Sequence, residues 1–261
     1  MITVALLASL SSAARAQDAT ESKPDVPRVT TVGTDLGYVH FDQGLDAWKL
    51  ASISLGQRTS AGSIIGRVNI ADRFGTTGNQ VEVDAYPHLG NGKYAYLSVG
   101  YSGSAIFPAW RSGAELFTSL PDAWEASLGY RQLRFSGTPT TLFTGAVGKY
   151  VGNYWFSARP YLHWSGSGPS ASASITARRY YADGDHYIGA RAGYGSTPPD
   201  VATLDAASLA RLRSFSASMQ GSGGLAGGVL GTWSVAYEHE ALTTTTIRRS
   251  VASTIGLRVP F

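Results

Sequence analysis

The last eight residues, Thr254 to Phe261 (TIGLRVPF), alternate strictly. Counting back from the end, Phe261, Val259, Leu257 and Ile255 are apolar, with Pro260, Arg258, Gly256 and Thr254 between them. A period of two puts successive side chains on opposite faces of a β-strand. The segment therefore reads as a strand with one apolar face and one mixed face, ending on an aromatic ring. Its apolar face needs either the core of a soluble sandwich or the hydrocarbon of a membrane, and the rest of the chain decides between them.

The same period recurs upstream. In QVEVDAY, Val81, Val83 and Ala85 alternate with Glu82, Asp84 and Tyr86; in SASITARRY, Ala173, Ile175 and Ala177 alternate with Ser174, Thr176 and Arg178. In VLGTWSVAYEHE, Val229, Trp233, Val235 and Tyr237 alternate with Thr232, Ser234, Glu238 and Glu240. Turn chemistry separates the runs: HLGNGK, SLPDAW, FSGTPT, YVGNYW, SGSGPS and YADGDHY. About fourteen strands are expected, near 32–41, 46–57, 62–74, 77–87, 93–102, 110–119, 124–135, 140–150, 153–165, 170–181, 186–196, 208–221, 228–240 and 246–261, with twelve as the lower count. Their lengths suit the roughly 9–11 residues with which a tilted strand crosses a bilayer.

Composition separates the two environments. Charged residues make up 15% of the 261-residue chain, against roughly 25% in soluble domains. A sandwich would turn Lys and Glu to water, whereas here the polar face is small and mixed. The 14 Tyr, 6 Trp and 9 Phe gather near strand ends, like aromatic girdles at two interfaces. A sheet crossing hydrocarbon must close on itself. The expected fold is thus all-β, a transmembrane antiparallel up-and-down barrel, with a soluble sugar-binding sandwich as the rival. The chain has no Cys, which excludes disulfides and thiolate metal sites, and its net charge of +3 forms no basic run that would suit nucleic acid.

The start, MITVALLASL, is too short an apolar stretch to span a bilayer and is followed by Ala14-Arg15-Ala16, the small-x-small pattern of a signal-peptide cut, although no Lys or Arg precedes it. The expected organisation is a signal peptide over 1–16, a polar periplasmic lead-in over 17–31 and the barrel over 32–261. An even strand count puts both termini in the periplasm. The turns after even strands are short, and the longest connection, Ser196 to Ser208, falls outside the cell.

Three stretches, FPAWRSGAELFTSLPDAWEASLGYRQLRF (Phe107–Phe135), GAVGKYVGNYWFSARPYL (Gly145–Leu162) and ITARRYYADGDHYIGARAGYGSTPPD (Ile175–Asp200), resemble the YaiO family of outer-membrane β-barrels. The resemblance implies a location in the outer membrane and a barrel fold; it implies no reaction. Phe261, closing an alternating strand, resembles the signal read by the barrel-assembly machinery, which with outer-membrane lipid is an expected partner.

With the apolar positions facing lipid, the lumen is expected to carry Arg67, Arg73, Arg111, Arg131, Lys149, Arg159, Arg178, Arg191, Arg248 and Arg258 among bases, and Glu82, Asp84, Glu115, Glu125 and Glu238 among acids. The basic excess suggests a channel favouring anionic solutes or polysaccharide segments; pairing across the lumen would instead make a filled, envelope-structural barrel. Arg131, Arg159, Arg178 and Arg191 could form one basic arc. Tyr96, Trp155, Tyr161 and Tyr180 offer inward rings for sugars. An enzyme acting on lipid A or phospholipid is the alternative, yet His40, His88, His163, His186 and His239 form no recognisable catalytic or metal-binding spacing, and neither catalytic residues nor a cofactor are expected.

Overall fold

The computed structural model describes residues 29–42, 44–135, 139–165, 168–196 and 213–261. Fourteen strands form in chain order: β1 Val29–Phe41, β2 Trp48–Thr59, β3 Gly62–Arg73, β4 Thr76–Gly90, β5 Lys93–Tyr101, β6 Trp110–Leu120, β7 Trp124–Arg134, β8 Thr140–Val151, β9 Tyr154–Ser165, β10 Gly168–Tyr180, β11 Tyr187–Gly195, β12 Arg213–Gly224, β13 Leu230–Ala241 and β14 Ile247–Pro260. Each pairs antiparallel with its neighbours in sequence, and β1 pairs with β14, so the sheet is a closed barrel without an edge. The seam runs from Thr31↔Pro260 to Phe41↔Ser250. Phe261 extends it through two backbone hydrogen bonds with Thr30, of 2.9 and 3.3 Å.

Alternation sorts the two faces as the pattern predicts. Leu128 is 75% exposed, Ile175 65%, and Ile53 and Ile255 64%. Residues of opposite parity on the same strands, Arg131, Ser174, Ser52 and Thr254, are buried inside. So much outward aliphatic surface is stable against lipid, not water. Outward aromatic rings flank this band. Tyr38, Tyr101, Trp110, Phe143, Tyr194 and Tyr237 lie towards one end, and Trp124, Tyr154, Phe156, Trp233 and Phe261 towards the other.

The start of β1 and the end of β14 share one end of the barrel, the terminal end, with the turns that follow even-numbered strands. Asn91 and Gly92 connect β4 to β5 with φ of 50° and 67°, the left-handed pair of a two-residue hairpin turn. At the far end, β3 and β4 are joined by Phe74 and Gly75 alone, so connections there are not uniformly long. Phe74 holds φ of 52°, unusual for a bulky residue, with its ring packed 5.3 Å from Trp48 and 5.4 Å from Phe41.

Three boundaries differ from expectation. Val29–Thr31, placed in the lead-in, already pair as β1. His88 lies in β4 beside a register shift, not in a turn. β12 starts at Arg213 and runs to Gly224; the expected start at 208, like the signal peptide and most of the lead-in, lies outside the described residues.

Candidate functional site in the barrel lumen

The inward faces of β3 to β9 carry a chain of ion pairs. Arg67 Nη1 lies 3.1 Å from Glu82 and 3.6 Å from Asp84, and Arg111 donates to the other oxygen of Glu82. Tyr96 donates to Asp84 at 3.1 Å, while the Arg131 guanidinium covers the Tyr96 ring at 4.6 Å. Arg131 and Arg159 then meet on one carboxylate: each lies 2.7 Å from Glu115, whose side chain has no exposed surface. Ser127 adds a third bond to Glu115 at 2.6 Å. Glu125 accepts from Tyr94 at 3.1 Å. Glu238 points inward from β13, half-buried. A charge taken out of water is tolerated only when paired or hydrogen-bonded, and this wall meets that condition.

The four arginines considered as one arc fall into two groups. Arg131 and Arg159 belong to the Glu115 cluster. Arg178, 5% exposed, sits among Tyr187, Trp155 and Tyr180, with ring distances of 4.4, 5.4 and 5.9 Å. Arg191 donates to Tyr161 and Ser174, both at 3.1 Å. Among the described residues neither Arg178 nor Arg191 has a carboxylate within ion-pair distance.

Lys149 is not in the lumen. It shares parity with Val147 and Val151, which face lipid, and pairs across strands with Trp124 on the outer face. Its ammonium lies 4.5 Å from the Trp124 ring centre at the terminal-end girdle. There a long side chain can lay its stem on apolar surface and keep its charge at the interface.

Register explains how the barrel houses bulky guanidiniums. Arg111 faces Gly100, Arg131 faces Gly113, Arg178 faces Gly189 and Arg258 faces Gly33 on the adjoining strand. A Cβ at Gly100 or Gly113 would come within 2.7 Å of the arginine stem lying over it. These glycines let the side chains lie flat on the wall.

Asp35 and the far-end apolar residues lie outside the expected lumen set. Asp35 binds Arg258 at 2.8 Å and accepts from Ser52, and Glu240 binds Arg248 at 2.6 Å. Near the far end, Val39, Phe41, Trp48, Leu50 and Ala71 form an apolar cluster inside the barrel, joined by Phe107 from the β5–β6 connection. Arg73 is sandwiched between Trp48 and Phe107, 4.8 Å from each ring, and donates to the Ile106 carbonyl at 2.8 Å. The available signal was a lapse in alternation, since Tyr38, Val39 and Phe41 put apolar side chains on both faces of β1.

The inward rings considered for sugar stacking are engaged: Tyr96 by Arg131, Trp155 and Tyr180 by Arg178, and Tyr161 through its hydroxyl by Arg191. His88 and His163 meet backbone carbonyls, His186 meets Asp183, and His239 meets Arg249. His239 faces outward, while Glu238 and Glu240 face inward.

A cavity of about 320 Å³ opens at the terminal end. Arg67 and Arg258 line its inner part, and the turn carrying Asp183, Asp185 and His186 borders it. Asp185 reaches Arg58 of β2 at 3.6 Å, and His186 lies 2.7 Å from Asp183.

A closed fourteen-stranded sheet with lipid-facing apolar residues and a charged interior defines an integral β-barrel of the outer-membrane type. Residues 29–200 match the family model of the YaiO membrane beta barrel domain, and the chain belongs to that family. No curated protein matches it in sequence. Among solved structures it is similar in fold to Pseudomonas aeruginosa OpdL, with a TM-score of 0.51, 8% identity and coverage of 90% of this chain and 98% of that one. P. aeruginosa OpdQ follows at TM-score 0.47 and 9% identity, covering 90% and 100%. An anion-selective porin from Comamonas acidovorans matches at TM-score 0.46 and 10% identity, covering 90% and 99%.

Proposed function

We propose that the protein is a narrow, anion-preferring channel of the outer membrane, with both termini in the periplasm. The observation that carries this reading is the unequal charge balance of the lumen. On β3 to β9 arginines and carboxylates compensate one another, whereas Arg178 and Arg191 on β10 and β11 contact only hydroxyls and rings among the described residues. Fixed positive charge beside a water-accessible path favours anions. The terminal-end cavity reaches as far as Arg67 and Arg258, and its wall includes Tyr187, on whose ring Arg178 is stacked.

An envelope-structural barrel with a filled lumen is the second reading. It is favoured by the burial of Asn69, Glu115, Thr144, Ser174, Ser234 and Thr254, inward side chains from all round the barrel. The lipid-modifying alternative draws no support from the histidines, whose contacts are carbonyls, an aspartate and an arginine.

Planar-bilayer recordings in a salt gradient test the proposal. Conductance with an anionic reversal potential, lowered in Arg178→Gln/Arg191→Gln, is the expected result. Cation preference, or no conductance from protein that migrates as a folded barrel, overturns it and favours the filled barrel.

A further inference from the structure

Like the far end with its apolar cluster, the terminal end of the lumen departs from the polar-inward rule. Val29 of β1, Ile65 of β3, Leu230 of β13 and Pro260 of β14 all occupy inward positions and line the same cavity. Ile65 follows Ile64, which faces lipid at 51% exposure, so β3 is aliphatic on both faces here. Aliphatic side chains in a water-filled mouth gain nothing from hydration, and an apolar guest would remove that surface from water. The volume, about 320 Å³, lies at the lower end of the roughly 300–1,000 Å³ typical of small-ligand sites.

Below this collar lie Arg67 and Arg258. They share one cross-strand row with Gly33 and Ser54 between them, so only small side chains separate them along the wall. Arg258 uses both terminal nitrogens on Asp35 and backbone carbonyls. Arg67 commits only Nη1, to Glu82 and Asp84, leaving its Nε–Nη2 edge without a partner among the described residues. That edge presents two parallel N–H groups, the match for the two oxygens of a carboxylate. Behind the cavity wall, Arg178 lies 4.4 Å from the ring of Tyr187 and adds positive potential. The acids at the cavity, Asp183 and Asp185, belong to the turn and are held by His186 and Arg58.

We propose that this cavity binds a single-chain aliphatic carboxylate, with its headgroup on the free edge of Arg67 and its hydrocarbon chain inside the collar of Val29, Ile65, Leu230 and Pro260. The site does not depend on whether the lumen conducts, because its lining residues all lie towards the terminal end.

The test uses the purified barrel in amphipol and decanoate as probe. The chain has no Cys, so Ser222→Cys, at the cavity wall, carries a single environment-sensitive fluorophore. Ser253→Cys, on the lipid-facing side, reports bulk partition of the amphiphile. Decanoate is expected to shift the Ser222→Cys probe saturably, with decanol and decylammonium producing no more than the Ser253→Cys response. In an Ile65→Asn/Leu230→Asn background that keeps its heat-modifiable mobility, the half-saturating decanoate concentration should rise at least about tenfold, as the loss of two aliphatic contacts implies. Equal responses to decanoate and decanol, no saturable response, or an unchanged titration in the folded collar variant would each overturn the proposal. The headgroup comparison needs no collar variant, so the proposal stays testable if that variant fails to fold.

Discussion

Glu115→Gln is expected to cost the barrel about 3 kcal/mol, at the lower end of the roughly 3–5 kcal/mol lost when one side of a buried ion pair is removed. The geometry sets the figure. The Glu115 side chain is fully enclosed and accepts from Arg131 and Arg159 at 2.7 Å each and from Ser127 at 2.6 Å. Gln keeps the shape but has one oxygen, and its amide turns a donor towards one guanidinium. One of the two charge-assisted bonds is lost, typically about 1.5–3 kcal/mol, and one arginine is left buried without its counter-charge. Arg131 still has the Tyr130 carbonyl at 3.0 Å and the Tyr96 ring at 4.6 Å, which keeps the loss from the top of the range. Urea unfolding of the reconstituted barrel, read by heat-modifiable mobility, measures it. Adding Arg131→Gln should cost less than the sum of the two single changes, because contacting residues couple. A Glu115→Gln barrel that unfolds at the wild-type urea concentration, or strictly additive effects, would refute the view that Glu115 anchors this wall.

Ile175→Arg, near mid-strand on the lipid face, is expected to destabilise the barrel by about 2–4 kcal/mol. Thr176→Arg, facing the lumen, should cost far less; equal losses in the same unfolding assay would contradict the facing. Removing Phe261, which is 73% exposed and pairs through its backbone with Thr30, should reduce the folded barrel recovered from outer membranes, and normal recovery would exclude an assembly role. In the β10–β11 turn, the hydrogen bond from His186 holds the Asp183 carboxyl below the ordinary aspartate range. A depressed carboxylate stabilises the turn above its unfolded-state pKa and loses that contribution as pH falls through its folded pKa. The protection of the amides across residues 181–187, taken relative to their intrinsic exchange rate at each pH, should accordingly fall in strong acid but not between neutral and mildly acid pH. Asp183→Asn should abolish that step, and a step that persists in the variant would assign it elsewhere.

Much of the architecture can be read from local pattern. Period-two alternation identifies strands, since it follows from the geometry of a single extended chain. Asn91-Gly92 marks a hairpin because both residues must adopt positive φ, which those residue types tolerate. Even the position of Lys149 was legible: it is two residues from Val147 and two from Val151, and parity alone sends it outward. The apolar far-end cluster left only a weaker trace, apolar Val39 and Phe41 on the inward face of β1 beside outward Tyr38, because a residue's inward direction says nothing of what fills the space opposite it.

Strand identity, facing and the aromatic girdles were determined by the sequence alone, because each depends on residues within one strand. Which arginine meets which acid was decided only by the tertiary structure. Glu115 serves Arg131, 16 residues away, and Arg159, 44 residues away, while Asp35 and Arg258 are brought together across the closing seam. Those partnerships depend on register and on the curvature that turns inward side chains towards one another. A shift of two residues in any strand would preserve every alternation in the sequence and reassign the pairs. The division of the lumen into a compensated wall and one whose arginines meet only rings and hydroxyls among the described residues is therefore a property of the closed barrel, not of any segment within it.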